Sequence, residues 1–201
     1  MLTAKSREVK SSFKKKARGL LKDIQGIQSG IEKIRSKSFS VLYPLSGILP
    51  SKLYPYWDVF EDMLRRPEVS NKYCAIHILA NLTQADRQNK FGKIFDYWFH
   101  DLLNHESPVV SAHTAEKSGK IVNAKPKLEP KITKYLLNAE NTSSCRHPEL
   151  LKAYILSAFD IYFDKISDKN SVIEYIIKQT ANPSPTTRNK AKNIIKKLNL
   201  E

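Results

Sequence analysis

The chain has 201 residues and carries 34 Lys and Arg against 20 Asp and Glu, a formal net charge of +14 at pH 7. Its length suits one domain that needs no cross-links, and its two cysteines, Cys74 and Cys145, match neither a disulfide framework nor a zinc-site pattern. No run reaches the roughly 18 apolar residues of a membrane span, and the N-terminus lacks a signal-peptide core. We therefore expect a cytoplasmic protein without a membrane partner.

The positive charge is concentrated at the two ends of the chain. Residues 1–37 contain eleven Lys and Arg against three Asp and Glu, a net of +8, and residues 184–201 contain five against one, a net of +4. Such an excess attracts nucleic acid or acidic proteins. It also serves simply as a solubilising surface, and the sequence leaves both interpretations open.

The first predicted element is one long amphipathic helix over about residues 6–37. Its apolar positions recur in alternating steps of four and three: Phe13, Ala17, Leu20, Ile24, Ile27, Ile31 and Ile34. This heptad pattern predicts a helix that packs on its own domain or on a second copy or partner, although Gly19, Gly26 and Gly30 weaken it. Pro44, Pro50 and Pro55 then predict a linker of short turns, so residues 1–50 are expected to form an N-terminal helix and linker packed on the rest.

Residues 51–201 are predicted to form four helix pairs. The first helices are expected to end at Leu64, Leu103, Leu137 and Ile177. The second helices carry Ala75, Ala115, Ala153 and Ala191, spaced 40, 38 and 38 residues apart. A small residue that recurs once per pair lets stacked helices approach closely. In Ser107-Pro108 and Ser184-Pro185 the serine can cap the second helix while the proline takes its first position.

These repeats resemble HEAT-like (armadillo-type) helical repeat proteins over about residues 51–199. The inner turn of that family matches Thr187-Arg188 followed by Ala191 best, while Lys72 or Ala112 stands at the Arg position of the first two pairs and Leu150 departs from the pattern. The resemblance implies an all-α fold, a right-handed α-α superhelix whose second helices line the concave face. It also implies a function as an interaction scaffold, although a fold alone does not fix a function.

Counting along each second helix from its alanine predicts a basic stripe on the concave face. The stripe would consist of Lys117, Lys120, Arg188, Lys192 and Lys196. Lysines in such an arrangement suit sequence-independent phosphate contacts. A solvated lysine face is the alternative.

The second helix of the third pair is apolar on almost every side. A helix of this kind is normally buried all round, yet a second helix in a solenoid has one open face. Leu151, Tyr154, Ile155 and Ala158 are therefore expected to form an apolar binding patch. The N-terminal helix, a partner segment or a second copy would cover it.

No catalytic, cofactor or metal motif stands out. G-x-S-x-G, P-loop and G-x-G-x-x-G patterns are absent, and the aromatic residues lie at core spacing on the first helices: Trp57, Phe60, Phe95, Tyr97, Trp98 and Phe99. The sequence favours a non-enzymatic scaffold that binds a protein partner or forms a homodimer, with no cofactor. The alternative is a nucleic-acid binder, including one similar to the HEAT-like alkylpurine DNA glycosylases, whose concave-face aromatics the two Trp residues do not match.

Overall fold

The computed structural model describes residues 19–199, which form helices joined by short turns, with no strand in that range. In chain order the helices are α1 (19–26), α2 (Glu32–Ile48), α3 (Pro50–Leu53), α4 (Trp57–Arg65), α5 (Val69–Leu82), α6 (Lys90–Asp96), α7 (Pro108–Ala124), α8 (Glu129–Thr142), α9 (Pro148–Tyr162), α10 (Lys169–Gln179) and α11 (Pro185–Leu198). A π-helical segment, Tyr97–Leu102, continues α6. Within the described range no helix is both long and apolar enough to cross a membrane. The predicted all-α class is confirmed.

Five helices pack side by side in one row. Helix α5 lies against α2 and α7, α7 lies against α5 and α9, and α9 lies against α7 and α11. We call α2, α5, α7, α9 and α11 the helix row. Helix α4 packs on α5, α8 on α7 and α9, and α10 on α9 and α11.

The predicted small residues lie at the helix contacts of this row. Ala75, Ala115, Ala153 and Ala191 are all buried, with at most 1% of their surface exposed. Helices α7 and α9 come especially close at Gly119 of α7. A Cβ atom at that position would lie 3.0 Å from the Ala158 carbonyl oxygen and 3.0 Å from Ile161 Cβ, both on α9. Helices α7 and α9 can therefore pack this closely only because residue 119 has no side chain.

Five of the six aromatic residues predicted for the core are buried, and the sixth, Tyr97, is half-buried. Trp57 and Phe60 of α4, Phe95 of α6, and Trp98 and Phe99 of the π-helical segment are buried. Both described cysteines are buried free thiols, and burial raises the pKa of the Cys74 thiol to about 11. Cys74 is thus a small core residue, in agreement with its apolar sequence context.

The N-terminal prediction is wrong where it can be compared. Residues 27–31 interrupt the expected single helix, since Gly26 and Gly30 bring low helix propensity to both sides of the break. Helix α2 then continues through Pro44 to Ile48, where a linker was expected. Pro44 is exposed, so water can bind the Ser40 carbonyl that loses its intrahelical partner.

The expected heptad surface is also divided. Ile24 and Ile27 are buried, whereas Ile31 and Ile34 are 62% and 45% exposed. Phe13 and Ala17 lie outside the described residues. Helix α2 packs on α5 at one end of the row, whereas α9 packs between α7 and α11. Helix α2 is therefore not the neighbour of α9 that the sequence suggested.

A cation closes the turn of three helix pairs, and it is buried at Arg35 and Lys72 and half-buried at Arg188. Lys72 Nζ donates hydrogen bonds to the Leu64 and Arg66 carbonyls at 2.8 and 2.6 Å, and Arg188 Nη1 donates to the Asn182 carbonyl at 2.6 Å. Arg35 Nη1 donates to the Ser29 carbonyl at 3.0 Å. In each turn the donor lies six residues after the residue whose carbonyl it binds: Lys72 after Arg66, Arg188 after Asn182 and Arg35 after Ser29. The α1–α2 turn therefore shares a device with α4–α5 and α10–α11.

Substitution of Gly119 by Ala is expected to destabilise the protein by about 1–2 kcal/mol, because its new methyl group meets backbone and Cβ atoms of α9 that move only with the helix. Gly47→Ala in α2 is the matched control. The nearest atom to its added Cβ is Asn81 Nδ2 at 3.6 Å, an ordinary contact, so helix propensity should raise stability by up to about 1 kcal/mol. Urea unfolding of both variants measures the two signs, and a stabilising Gly119→Ala would contradict the close contact.

Candidate interaction surface

Six aromatic rings form a continuous line across four helices of the row. Helix α2 supplies Phe39 and Tyr43, α5 supplies Tyr73 and His77, α7 supplies His113 and α9 supplies Tyr154. We call these six side chains the aromatic row. Neighbouring ring centroids along it are 4.4 to 5.3 Å apart, within the range of favourable aromatic contacts.

Burial in the aromatic row is graded. His77 is only 5% exposed, and the other five rings are half-buried. The half-buried rings hold one another in place and still present part of their surface to solvent. Such a surface combines fixed geometry with apolar area, which suits a contact to another molecule.

His77 is the centre of this arrangement. Neither imidazole nitrogen has a hydrogen-bond partner among the described residues. The rings of Phe39 and Tyr43 stand nearly perpendicular to it, at 87° and 86°, and allow only weak contacts of the N–H···π type. Burial first, and then the nearby Lys117 ammonium, lower the pKa of His77 to about 3. His77 is therefore a neutral, poorly satisfied polar group inside an aromatic cluster.

Charged side chains of α7 border the aromatic row. Glu116 Oε2 lies 2.9 Å from Lys117 Nζ and 3.5 Å from His113 Nδ1. Together the His113 ring and the Lys117 ammonium lower the pKa of Glu116 to about 2, so its carboxylate stays ionised near neutral pH. Among the described residues no group of three His, Cys, Asp or Glu is placed to hold a metal ion.

Lys120, one turn further along α7, is held by a neutral partner. Its Nζ donates to Asn81 Oδ1 at 2.8 Å, and Asn81 Nδ2 donates in turn to Ser46 Oγ at 2.8 Å. The same ammonium lies 5.8 Å from the centroid of the Tyr43 ring. Helices α2, α5 and α7 thus fix the position of one half-buried cation.

A groove extends the surface toward α11. It has a volume of about 670 Å³, and Glu116, Ser157, Asp160, Lys190 and Lys197 are among the residues that line it. Lys190 donates to Ser157 Oγ and lies 5.7 Å from the centroid of the Tyr154 ring. Lys197 pairs with Asp160 at 2.6 Å. The lysines of the groove are therefore already engaged within the protein.

The residues of the predicted basic stripe are not brought together. Lys117 and Lys120 lie beside the aromatic row, whereas Arg188 is used in the α10–α11 turn. Lys192 and Lys196 are exposed on α11 and are not among the residues that line the groove. Lys190 and Lys197 occupy the positions on α11 that face α9.

The predicted apolar patch is not a surface either. Leu151, Ile155 and Ala158 are at most 2% exposed, because the neighbouring helices of α9 surround it more completely than an open concave face would allow. Tyr154 alone is half-buried. Its ring centroid lies 5.1 Å from that of His113, at the end of the aromatic row.

Most of the aromatic row was missed at the level of sequence, although the repeat phase contains a signal for it. Tyr73 and His113 each precede the small residue of their helix by two positions, and Phe39 and Tyr154 each follow Ser38 and Ala153 directly. Aligning further positions around each alanine would have placed these rings on one face. The position of Phe39 also requires recognising Ser38 as the small residue of α2.

Comparison of the chain with protein families, with curated proteins and with solved structures found no match. The geometry of the aromatic row and of the charges beside it is therefore the basis for the function proposed below. The resemblance to HEAT-like repeats remains a resemblance read from the sequence.

The free energy of unfolding is expected to fall as the pH drops below about 6.5, the usual pKa of histidine. Because the pKa of His77 is about 3 in the folded protein, the unfolded chain takes up a proton between these values that the native state does not. His77→Phe should lower this pH slope by about 1.4 kcal/mol per pH unit. Tyr73→Phe in the same cluster is the control and should retain the slope. Urea titrations at several pH values measure it, and equal slopes in the two variants would contradict a buried neutral His77.

Proposed function

We propose that the chain is a HEAT-like solenoid of five helix pairs, one more than the repeats recognised in the sequence. The cation that closes the turn at Arg35, Lys72 and Arg188 supports a common unit. So do the packing order of the helix row and the buried small residues on its members. In this arrangement α1 and α2 are the first pair, and Ser38 takes the place of the alanine.

We further propose that the protein is a non-enzymatic interaction scaffold that binds a segment of another protein along the aromatic row. The observation that carries this proposal is the continuity of six rings across α2, α5, α7 and α9. Aromatic side chains supply large contact areas at little entropic cost, and they dominate the energetics of protein interfaces. Their support by packed helices keeps that area pre-organised.

Nucleic-acid binding, the alternative from composition, is less well supported by the same surface. A phosphate track needs lysines available along its length, but Lys117 pairs with Glu116 and Lys197 pairs with Asp160. Lys190 is bonded to Ser157. Glu116 also keeps a negative charge beside the row, which repels a continuous polyanion. A scaffold for protein segments fits this alternation of charge and aromatic surface better.

A second copy of the chain fits less well than a foreign partner. A two-fold contact through this face would set the same surface patch of both copies against each other. Each copy would bring the cations Lys120 and Lys190 to that contact, so the two patches repel rather than complement each other in charge. We expect the full chain to sediment as a monomer. If it is instead a dimer that Tyr154→Ala dissociates, the molecule bound along the aromatic row is a second copy and not a foreign partner.

Selection of random phage-displayed peptides on the immobilised full-length protein tests the scaffold. We expect enriched peptides, and replacement of Tyr154 by Ala should weaken their binding at least about tenfold. Tyr135→Ala on α8 is the matched control, since it truncates another half-buried tyrosine away from the aromatic row. Thermal melting establishes that both variants are folded. No enrichment, or peptides sensitive to Tyr135 but not to Tyr154, would contradict the proposal.

A further inference from the structure

We propose that the aromatic row binds an acidic protein segment, with a carboxylate of that segment on the Lys120 ammonium and an adjacent apolar or aromatic residue against the rings of Tyr73, His113 and Tyr154. This inference rests on the proposed scaffold function and names the chemistry of its partner. Charge complementarity between Lys120 and an acidic segment supports this proposal.

The first step is the incomplete neutralisation of Lys120. An ammonium group has three N–H donors, and the described residues offer Lys120 one hydrogen-bond acceptor, the neutral Asn81 amide oxygen. Glu116 pairs with Lys117 at 2.9 Å, and none of the carboxylates that the structure describes pairs with Lys120. Burial first, and then the neighbouring Lys117, lower the pKa of Lys120. Glu116 attracts the Lys120 ammonium from a distance but forms no ion pair with it. A half-buried cation without a direct carboxylate contact therefore lies beside the row, where an anion would be stabilising.

The second step is the pre-organisation of that cation. Ser46, Asn81 and Lys120 form a hydrogen-bonded chain from α2 through α5 to α7. The Tyr43 ring lies beside the ammonium, 5.8 Å from Nζ. Since the lysine is already ordered, an incoming carboxylate avoids much of the entropy loss that weakens most surface ion pairs.

The third step concerns the neighbouring surface, which is aromatic rather than basic. From Lys120 the face continues through Tyr43 and the nearly buried His77 to the half-buried rings of Tyr73, His113 and Tyr154. Apolar and aromatic side chains can bury area on these rings. A ligand with one negative charge followed by apolar residues matches this order of chemistry.

A peptide satisfies these conditions better than a polynucleotide does. A nucleic-acid strand carries a phosphate on every nucleotide, so a strand along the row would bring negative charge past Glu116. A peptide can place its carboxylate at Lys120 and uncharged residues beside Glu116. The positive charge of the chain, +14 overall, adds long-range attraction for an acidic segment.

Two fluorescein-labelled peptide pools test this inference on the full-length protein. Both pools are random mixtures of Leu, Phe, Tyr, Ser and one variable residue, which is Glu in the first pool and Gln in the second. Fluorescence polarisation is measured with the wild-type protein, with Lys120→Met, and with Lys134→Met as a control. Lys134 is exposed on α8. Each variant replaces one lysine by methionine, so the two variants have the same net charge.

The Glu pool is expected to bind the wild-type protein about tenfold more tightly than the Gln pool. Lys120→Met should remove this preference, while Lys134→Met should retain it. Equal binding of the two pools, or an equal loss of the preference for Glu in both variants, would overturn the acidic partner. The scaffold proposal would still stand if phage-selected peptides depend on Tyr154. Single-stranded DNA or RNA oligonucleotides that bind more tightly than the Glu pool at physiological salt would also overturn it. Failure of both the pools and the phage selection would end both proposals.

Discussion

Close packing of the helix row is the constraint on which the candidate surface depends. The aromatic rings belong to four different helices, and rings on different helices meet only because the helix axes are near one another. Gly119 permits one of these approaches, against the Ala158 carbonyl and Ile161 of α9. A side chain at that position would push α7 and α9 apart and would separate His113 from Tyr154. The stability of the row and the continuity of its surface therefore have the same physical origin.

Net charge is a poor guide to how this surface works. The chain is strongly basic, yet several of its cations are bound within the protein itself. Arg35, Lys72 and Arg188 bind turn carbonyls, where a positive charge complements the carbonyl end of the preceding helix. Lys120 differs because it binds the side chain of Asn81 on a neighbouring helix and not a carbonyl in a turn. One incompletely neutralised cation beside aromatic rings gives the surface more chemical definition than the total charge does.

The sequence predicted the parts of the fold that have local signals. The alanines at 75, 115, 153 and 191 all lie buried on helices of the row, because a small residue allows two helices to pack closely. The core aromatics followed from helical spacing. The break at residues 27–31 was misjudged, since the heptad pattern continues across it while the backbone does not. Passage of α2 through Pro44 depends on solvent access to one carbonyl, which no sequence pattern encodes.

The candidate site was harder to predict than the fold. Lys117 and Lys120 of the predicted stripe lie beside the aromatic row, whereas Arg188 was assigned to a surface and its guanidinium closes a turn. The sequence indicates that α9 is apolar on almost every side. It does not indicate how many helices surround α9, because that number depends on tertiary packing. The aromatic row combines residues from positions 39 to 154. Their proximity can be predicted only when the phase of α2 relative to the other helices is known.

Aromatic nuclear Overhauser spectroscopy of the full-length protein tests the central claim, the continuity of the aromatic row, most directly. The ring centroids of Tyr43 and His77, of His77 and His113, and of His113 and Tyr154 are 5.1, 4.9 and 5.1 Å apart. We predict ring-to-ring cross-peaks for all three pairs. Core contacts such as Phe91 with Trp98, at 5.5 Å, serve as the internal reference. Core cross-peaks without a link between His113 and Tyr154 would show that the row is interrupted and would contradict the account.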